Sequence, residues 1–114
     1  MLESEVIKVE GGIVVLDLKG RLTLGSRLSL LEAEIATLAN SGATKVILDL
    51  TNVEYADSSA LGVLLHASST VRSKGGQLLL AAPNQRVRDL FKLTNTTQLL
   101  ACYPDRAACI AHLL

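Results

Sequence analysis

The side chains best placed to do chemistry are three neighbours, Asp57, Ser58 and Ser59: a carboxylate followed by two hydroxyls. They stand between an apolar run and the start of a helical stripe, so each is a candidate helix N-cap. The first turn of a helix leaves backbone N–H groups unpaired and carries a partial positive charge. A serine there can accept a phosphate, about two negative charges, and leave the fold intact while changing what can dock on that surface. An ordinary cap is the alternative reading, and sequence physics alone does not choose between the two serines.

Other constellations carry less. Ser58 as a nucleophile requires a base within hydrogen-bond reach. His66 is roughly 12 Å further along the same predicted helix at 1.5 Å per residue, nothing completes a triad around His112, and no G-x-S-x-G elbow is present. Both histidines are expected in surface or partly buried roles. Asp49 closes an apolar run as a receiver-domain phosphoacceptor does. The acidic pair and the lysine of that fold are missing, because Asp17 stands alone and Tyr103-Pro104 follows the final strand. Asp49 is therefore expected to hydrogen-bond locally and not to converge with Asp57 as an acid–base pair. Gly11-Gly12 and Gly75-Gly76 lack nucleotide-binding spacing and read as turns. Cys102 and Cys109 have no metal-ligand spacing and are expected as buried free thiols.

The elements that position these residues follow from periodicity. Val6–Val9 and Ile13–Leu18 read as a hairpin around Glu10-Gly11-Gly12. Leu24, Leu28, Leu31, Ile35 and Leu38 recur at three and four, which predicts a helix from Leu24 to about Asn40. Lys45–Leu50 has the composition of a buried strand, followed by a polar bend from Thr51 to Ala56. Leu61, Leu64, Leu65, Ser68 and Val71 make a second helix, stopped at Lys74-Gly75-Gly76. Gln77–Ala82 is a strand, and Asn84 caps a helix burying Val87, Leu90 and Phe91. Gln98–Tyr103 is a last strand, and Pro104-Asp105 opens a terminal helix with Ile110, Leu113 and Leu114 for burial. The order β-β-α-β-α-β-α-β-α predicts an α/β domain over residues 1–114, a mixed sheet with helices packed on it.

Composition narrows the function. Eleven basic and eleven acidic residues cancel, and aromatics make up 3% of the chain. Nucleic-acid binding, which draws on positive excess and stacking rings, is disfavoured, as is a polybasic membrane contact. No apolar run nears the ~18 residues of a membrane span, and Met1–Glu5 is acidic, unlike a signal peptide. A cytoplasmic location is expected, and a partner that is another protein or a small molecule. Arg72, Lys74, Arg86, Arg88 and Lys92 read as solvated helix faces which, if gathered together, would frame an acidic partner surface.

Residues 45–65, KVILDLTNVEYADSSALGVLL, resemble the signature of the STAS domain family of anti-sigma factor antagonists. Gly20-Arg21-Leu22, Gly75-Gly76 and the stretch ending Leu90-Phe91 extend the likeness over nearly the whole chain. The resemblance implies that Ser58 is the phosphoacceptor, supported by Asp57 and Ser59. It implies partner contacts at Gly20, Leu22, Thr23, Tyr55, Ala60, Leu61 and Gly62, framed by Gly20–Leu24 and Thr51–Ala56. The implied partner is an anti-sigma factor that is itself a serine kinase. It would be bound by the unphosphorylated form and released by phosphorylation, with a serine phosphatase restoring the first state. ATP would belong to the kinase, so neither a cofactor nor enzymatic activity is expected of this chain. Other family members are scaffold or accessory subunits of stress-signalling or transport complexes without a kinase cycle. Monomer and weak dimer both stay open. Two residues depart from the pattern: Ala60 replaces a glycine, adding a methyl group near the site, and Thr23 stands where many members have an acidic residue.

Overall fold

The computed structural model describes residues 2–25 and 27–114; Met1, at the acidic N-terminus, and Ser26, inside the segment expected to be helical, lie outside them. Strands β1 (Leu2–Val9) and β2 (Ile13–Leu22) form an antiparallel hairpin across Glu10-Gly11-Gly12. The chain then alternates through α1 (Leu28–Asn40), β3 (Lys45–Ala56), α2 (Ser58–Ser73), β4 (Gln77–Ala81), α3 (Gln85–Leu93), β5 (Cys102–Tyr103) and α4 (Arg106–Leu113). The sheet runs β1-β2-β3-β4-β5, antiparallel at the first pair and parallel at the rest. The expected mixed α/β architecture and element order are what the structure has.

Strand alternation divides the core in two. Leu16, Leu18 and Leu22 of β2, Val46, Leu48 and Leu50 of β3 and Leu78 and Leu80 of β4 pack against α1, α2 and α3, with Ile35, Leu64, Val71, Val87 and Phe91 buried opposite them. The intervening residues Ile13, Val15, Ile47, Leu79 and Ala81 face α4, which buries Cys109 and Leu113. The first cluster is much the larger, and α4 covers only part of the second face. Leu114, expected to be buried, is exposed, and Cys109 takes that inward position. Cys102 is exposed as well, because it lies on a two-residue strand at the sheet edge.

Two strands run longer than their apolar stretches. The segment Thr51–Ala56, expected as a bend, is the second half of β3, hydrogen-bonded to an equally extended β2 as far as the pair Leu22 and Ala56. Register shifts after Asp17 and Gly20 accommodate the polar residues there, and Gly20 takes a φ of 115° that a side chain would disfavour. At the opposite end, a Cβ on Gly76 would collide with the Thr44 backbone, 2.7 Å from its Cα. Gly76 is therefore a steric requirement of the α2–β4 connection, while Gly75 takes a φ of 81° that favours glycine.

Helix α1 starts later than its periodicity predicts. Leu24 is not on the buried stripe; it is 78% exposed in the β2–α1 loop. Arg27, in the left-handed region at φ 64°, forms the N-terminal boundary, with its carbonyl accepting the Leu30 and Leu31 amides. Asp57 and Asn84 cap α2 and α3, and Asp105 caps α4, each carboxylate or amide oxygen accepting an N–H three residues on.

Candidate functional site

Strands β2 and β3 both end where α2 begins, and Asp57 is the residue that joins them. Its own N–H donates to the Leu22 carbonyl at 3.0 Å. One carboxylate oxygen accepts the Ala60 amide at 3.1 Å and caps α2, while the other accepts the Leu24 amide at 3.0 Å. A single side chain therefore fixes the helix start and draws the loop carrying the exposed Leu24 up beside it. The Leu24 amide is the main cause holding the carboxyl below its ordinary value of 3.8. Slight burial opposes the shift, and the Ala60 and Ser59 amides add to it.

Ser58, the first residue of α2, is exposed, and Ser59 is half-buried. With Asp57 occupied as the cap, the exposed Ser58 side chain makes no hydrogen bond among the described residues. A phosphate there would stand in solvent beside the helix N-terminus and a fixed carboxylate. His66 is exposed and lies 3.4 Å from Glu32, and His112 stacks on Tyr103 with ring centroids 5.1 Å apart. Neither approaches Ser58 as a hydrogen-bonded base. Among the described residues, no three His, Cys, Asp or Glu side chains gather to hold a metal ion, and no helix is long and apolar enough to cross a membrane.

Of the residues expected at a docking surface, Gly62 is exposed, and Gly20, Thr23 and Tyr55 are half-buried at this end of the sheet. Leu22, Ala60 and Leu61 are buried beneath that surface, Ala60 at 0% exposure. The Ala60 methyl is part of the core beneath α2. Beside the site, an open cleft of about 420 Å³ is lined by Glu3, Lys19, Gly20, Arg21, Asn52 and Glu54. Its shallow, mixed-charge form suits a protein surface better than an enclosed small molecule.

The five basic residues do not gather. Arg72 lies in the last turn of α2, bonded to Ser68, and Arg88 bonds Gln85 on its own helix. Arg86 lies at the site end, where it and Arg21 both approach the Tyr55 ring, at 4.7 and 5.4 Å from its centroid. Sequence reading missed this pairing; register-paired Arg21 and Tyr55 become neighbours only once β2 and β3 are seen to extend.

A second charged cluster lies under α4. Asp17 and Asp49 are register partners, and Arg106 reaches both, Nε to Asp49 at 2.8 Å and a terminal nitrogen to Asp17 at 3.3 Å. The other oxygen of Asp49 accepts the Thr51 hydroxyl at 2.6 Å and its amide at 3.0 Å. Burial pushes this carboxyl up, but the Thr51 bonds and the Arg106 guanidinium outweigh it and hold the group below 3.8. Asp49 does bond locally and does not meet Asp57, as expected. Asp17, single in its sequence neighbourhood, joins Asp49 in this cluster through Arg106.

Residues 5–109 match the STAS domain family. A protein of Thermotoga neapolitana, named as an anti-sigma factor antagonist homologue, is 38% identical over 64 residues, a stretch covering 56% of this chain and 57% of that protein. The crystal structure of an anti-sigma factor antagonist from Thermotoga maritima superposes with a TM-score of 0.89 at 25% identity, over 96% of this chain and 93% of that one. The Bacillus cell fate determinant SpoIIAA in its phosphorylated form shares the fold, with a TM-score of 0.75 at 21% identity over 98% and 100% of the two chains.

Proposed function

The chain belongs to the STAS domain family, and from that premise we propose that it is an anti-sigma factor antagonist switched by phosphorylation of Ser58. The observation that carries this reading is an exposed serine at the first position of a sixteen-residue helix, held on a surface that Asp57 assembles from three chain segments. In the unmodified state the surface around Ser58 offers a neutral hydroxyl, the exposed Leu24 and the open side of Gly62. An anti-sigma factor kinase docks there and gives up its sigma factor. Phosphate transfer from the kinase's ATP to the Ser58 hydroxyl oxygen places about two negative charges in that contact. A close interface would then have to desolvate a dianion, so the complex separates. A serine phosphatase resets the switch. That a SpoIIAA relative has been solved in a phosphorylated form supports the plausibility of modification on this fold.

The test is a capture from native cytosol on unmodified protein and on Ser58→Asp, with both partners and phosphosites read by mass spectrometry. The expected result is a kinase of the anti-sigma type on the unmodified bait alone, with phosphate mapped to Ser58. Identical partners on both baits and no phosphate on Ser58 or Ser59 would replace this reading with that of a scaffold or accessory subunit lacking a kinase cycle.

A further inference from the structure

We propose that Arg21 and Arg86, both held against the Tyr55 ring, form the partner-selecting element of the docking surface, and that they take a carboxylate-bearing loop of the protein partner. The inference rests on the docking reading given above for the Ser58 end of the molecule and adds to it the chemistry of the partner.

The stack is built by the fold. Asn84 donates from its side-chain nitrogen to the carbonyls of Val53 at 3.1 Å and Glu54 at 2.8 Å, while its oxygen caps α3 through the Val87 amide at 3.0 Å. This pins the N-terminus of α3 to the outer half of β3, and Arg86, two residues along, is carried over Tyr55 with its guanidinium carbon 4.7 Å from the ring centroid. From the other strand, Arg21 comes to 5.4 Å of the same centroid. A guanidinium on an aromatic face is oriented before any partner arrives and is weakly hydrated, so little ordering or desolvation opposes its use.

Charge on this patch is unevenly satisfied. Arg21 is held by Glu54 at 3.1 Å in an exposed pair, and Asp57 spends its carboxylate on backbone amides. Arg86 has no ion-pair partner among the described residues; its ring contact is what orients it. A planar cation with open donor sites is matched by a carboxylate, which it can grip with two parallel hydrogen bonds. The exposed Leu24, tied to the neighbouring Asp57, adds an apolar anchor of the kind that accompanies such contacts. Nucleic acid is the poorer match, since the chain carries no net positive charge. The same arrangement gives the switch its sign. A phosphate on Ser58 adds about two negative charges at this end of the molecule, repelling an acidic partner while competing for its arginines.

The experiment measures affinity for the captured anti-sigma factor kinase by calorimetry at about 50 and about 300 mM salt. The chains are wild type, Arg21→Glu/Arg86→Glu, Arg21→Lys/Arg86→Lys and Ser58→Asp, with melting curves to show that the exposed substitutions leave the fold intact. The double reversal is expected to weaken binding about tenfold or more and to flatten its salt dependence. The lysine pair, which keeps the charge and loses the planar grip, should fall between. Wild-type affinity in the double reversal at both salts would overturn the inference while leaving the phosphorylation reading in place. Should wild type capture no kinase, the phosphorylation reading fails, and the inference is decided separately by NMR titration. The probes are then a short glutamate-rich peptide and its glutamine counterpart. Shifts of the Arg21 and Arg86 Nε–H and Tyr55 ring signals with the first alone support it; equal or absent shifts overturn it.

Discussion

Asp49 and Asp57 lie on one continuous segment, the first within β3 and the second just beyond its end, and both hold their charge more firmly than a free aspartate does. They do so by opposite means. Asp49 is 4% exposed and depends on a full countercharge delivered from α4 at the far end of the chain. Asp57 sits in the surface and depends on backbone amides drawn from a loop and a helix end. The first arrangement fastens an element to the sheet; the second arranges a surface. A buried charge is costly without its partner, whereas a capped helix end survives modest changes. The chain therefore has a structural pole under α4 and an adjustable pole at the start of α2.

The largest expected effect tests the structural pole. Arg106→Met leaves Asp49 buried with only its Thr51 bonds, and should lower unfolding free energy by roughly 3 kcal/mol, read from urea titration. Because α4 also carries Cys109, buried against the sheet with its thiol raised to about 11 by that burial, this variant should expose Cys109 to alkylation mapped by mass spectrometry. Protection equal to wild type would remove the distinction between the poles.

At the adjustable pole, Asp57→Ala should cost about 1 kcal/mol, the usual value of a lost N-cap. Amide exchange should rise locally at Leu24 and Ala60. A loss as large as that of Arg106→Met would mean that Asp57 holds the fold and not merely the surface.

Gly62→Ala sharpens the contrast from the other side. Nothing lies within 4 Å of an added Cβ there, so the substitution should raise stability by about 0.5–1 kcal/mol and the melting temperature with it. Under the docking reading it should also weaken kinase binding. A stability gain with unchanged binding would move the contact elsewhere on α2.

The smallest effect is the acid dependence. Both carboxyls titrate below 3.8 in the fold, so the stability they contribute is fully present above that value and is lost as pH falls through their lowered folded values. Asp57→Asn keeps a capping side chain and removes one of the two contributions. Its unfolding free energy from urea titration should match wild type within about a few tenths of a kcal/mol at neutral pH and fall less steeply as pH drops below 3.8. An unchanged slope would leave Asp49 as the main source.

Much of this was legible in the residue pattern, and the exceptions have physical reasons. Caps at Asp57, Asn84 and Asp105 are short-range devices, each oxygen meeting an amide three residues on, and sequence spacing suffices to place them. The outer half of β3 was read as a bend because Thr51, Asn52 and Glu54 are polar, and a strand on an uncovered face has no apolar signature. Leu24 fits the helical stripe by spacing, yet a carboxylate 33 residues away takes its amide and keeps it in the loop.

The sequence by itself determined the alternation of elements, the mixed α/β class and the position of Ser58 at a helix start, because periodicity and capping act over a few residues. Only the tertiary structure decided which charges meet. Asp17 with Asp49 and Arg106, and Arg21 with Arg86 over Tyr55, are brought together from separate elements by strand register and helix placement. Local spacing carries no trace of such contacts, since they arise only when the hydrophobic faces have closed and left those side chains in reach of one another.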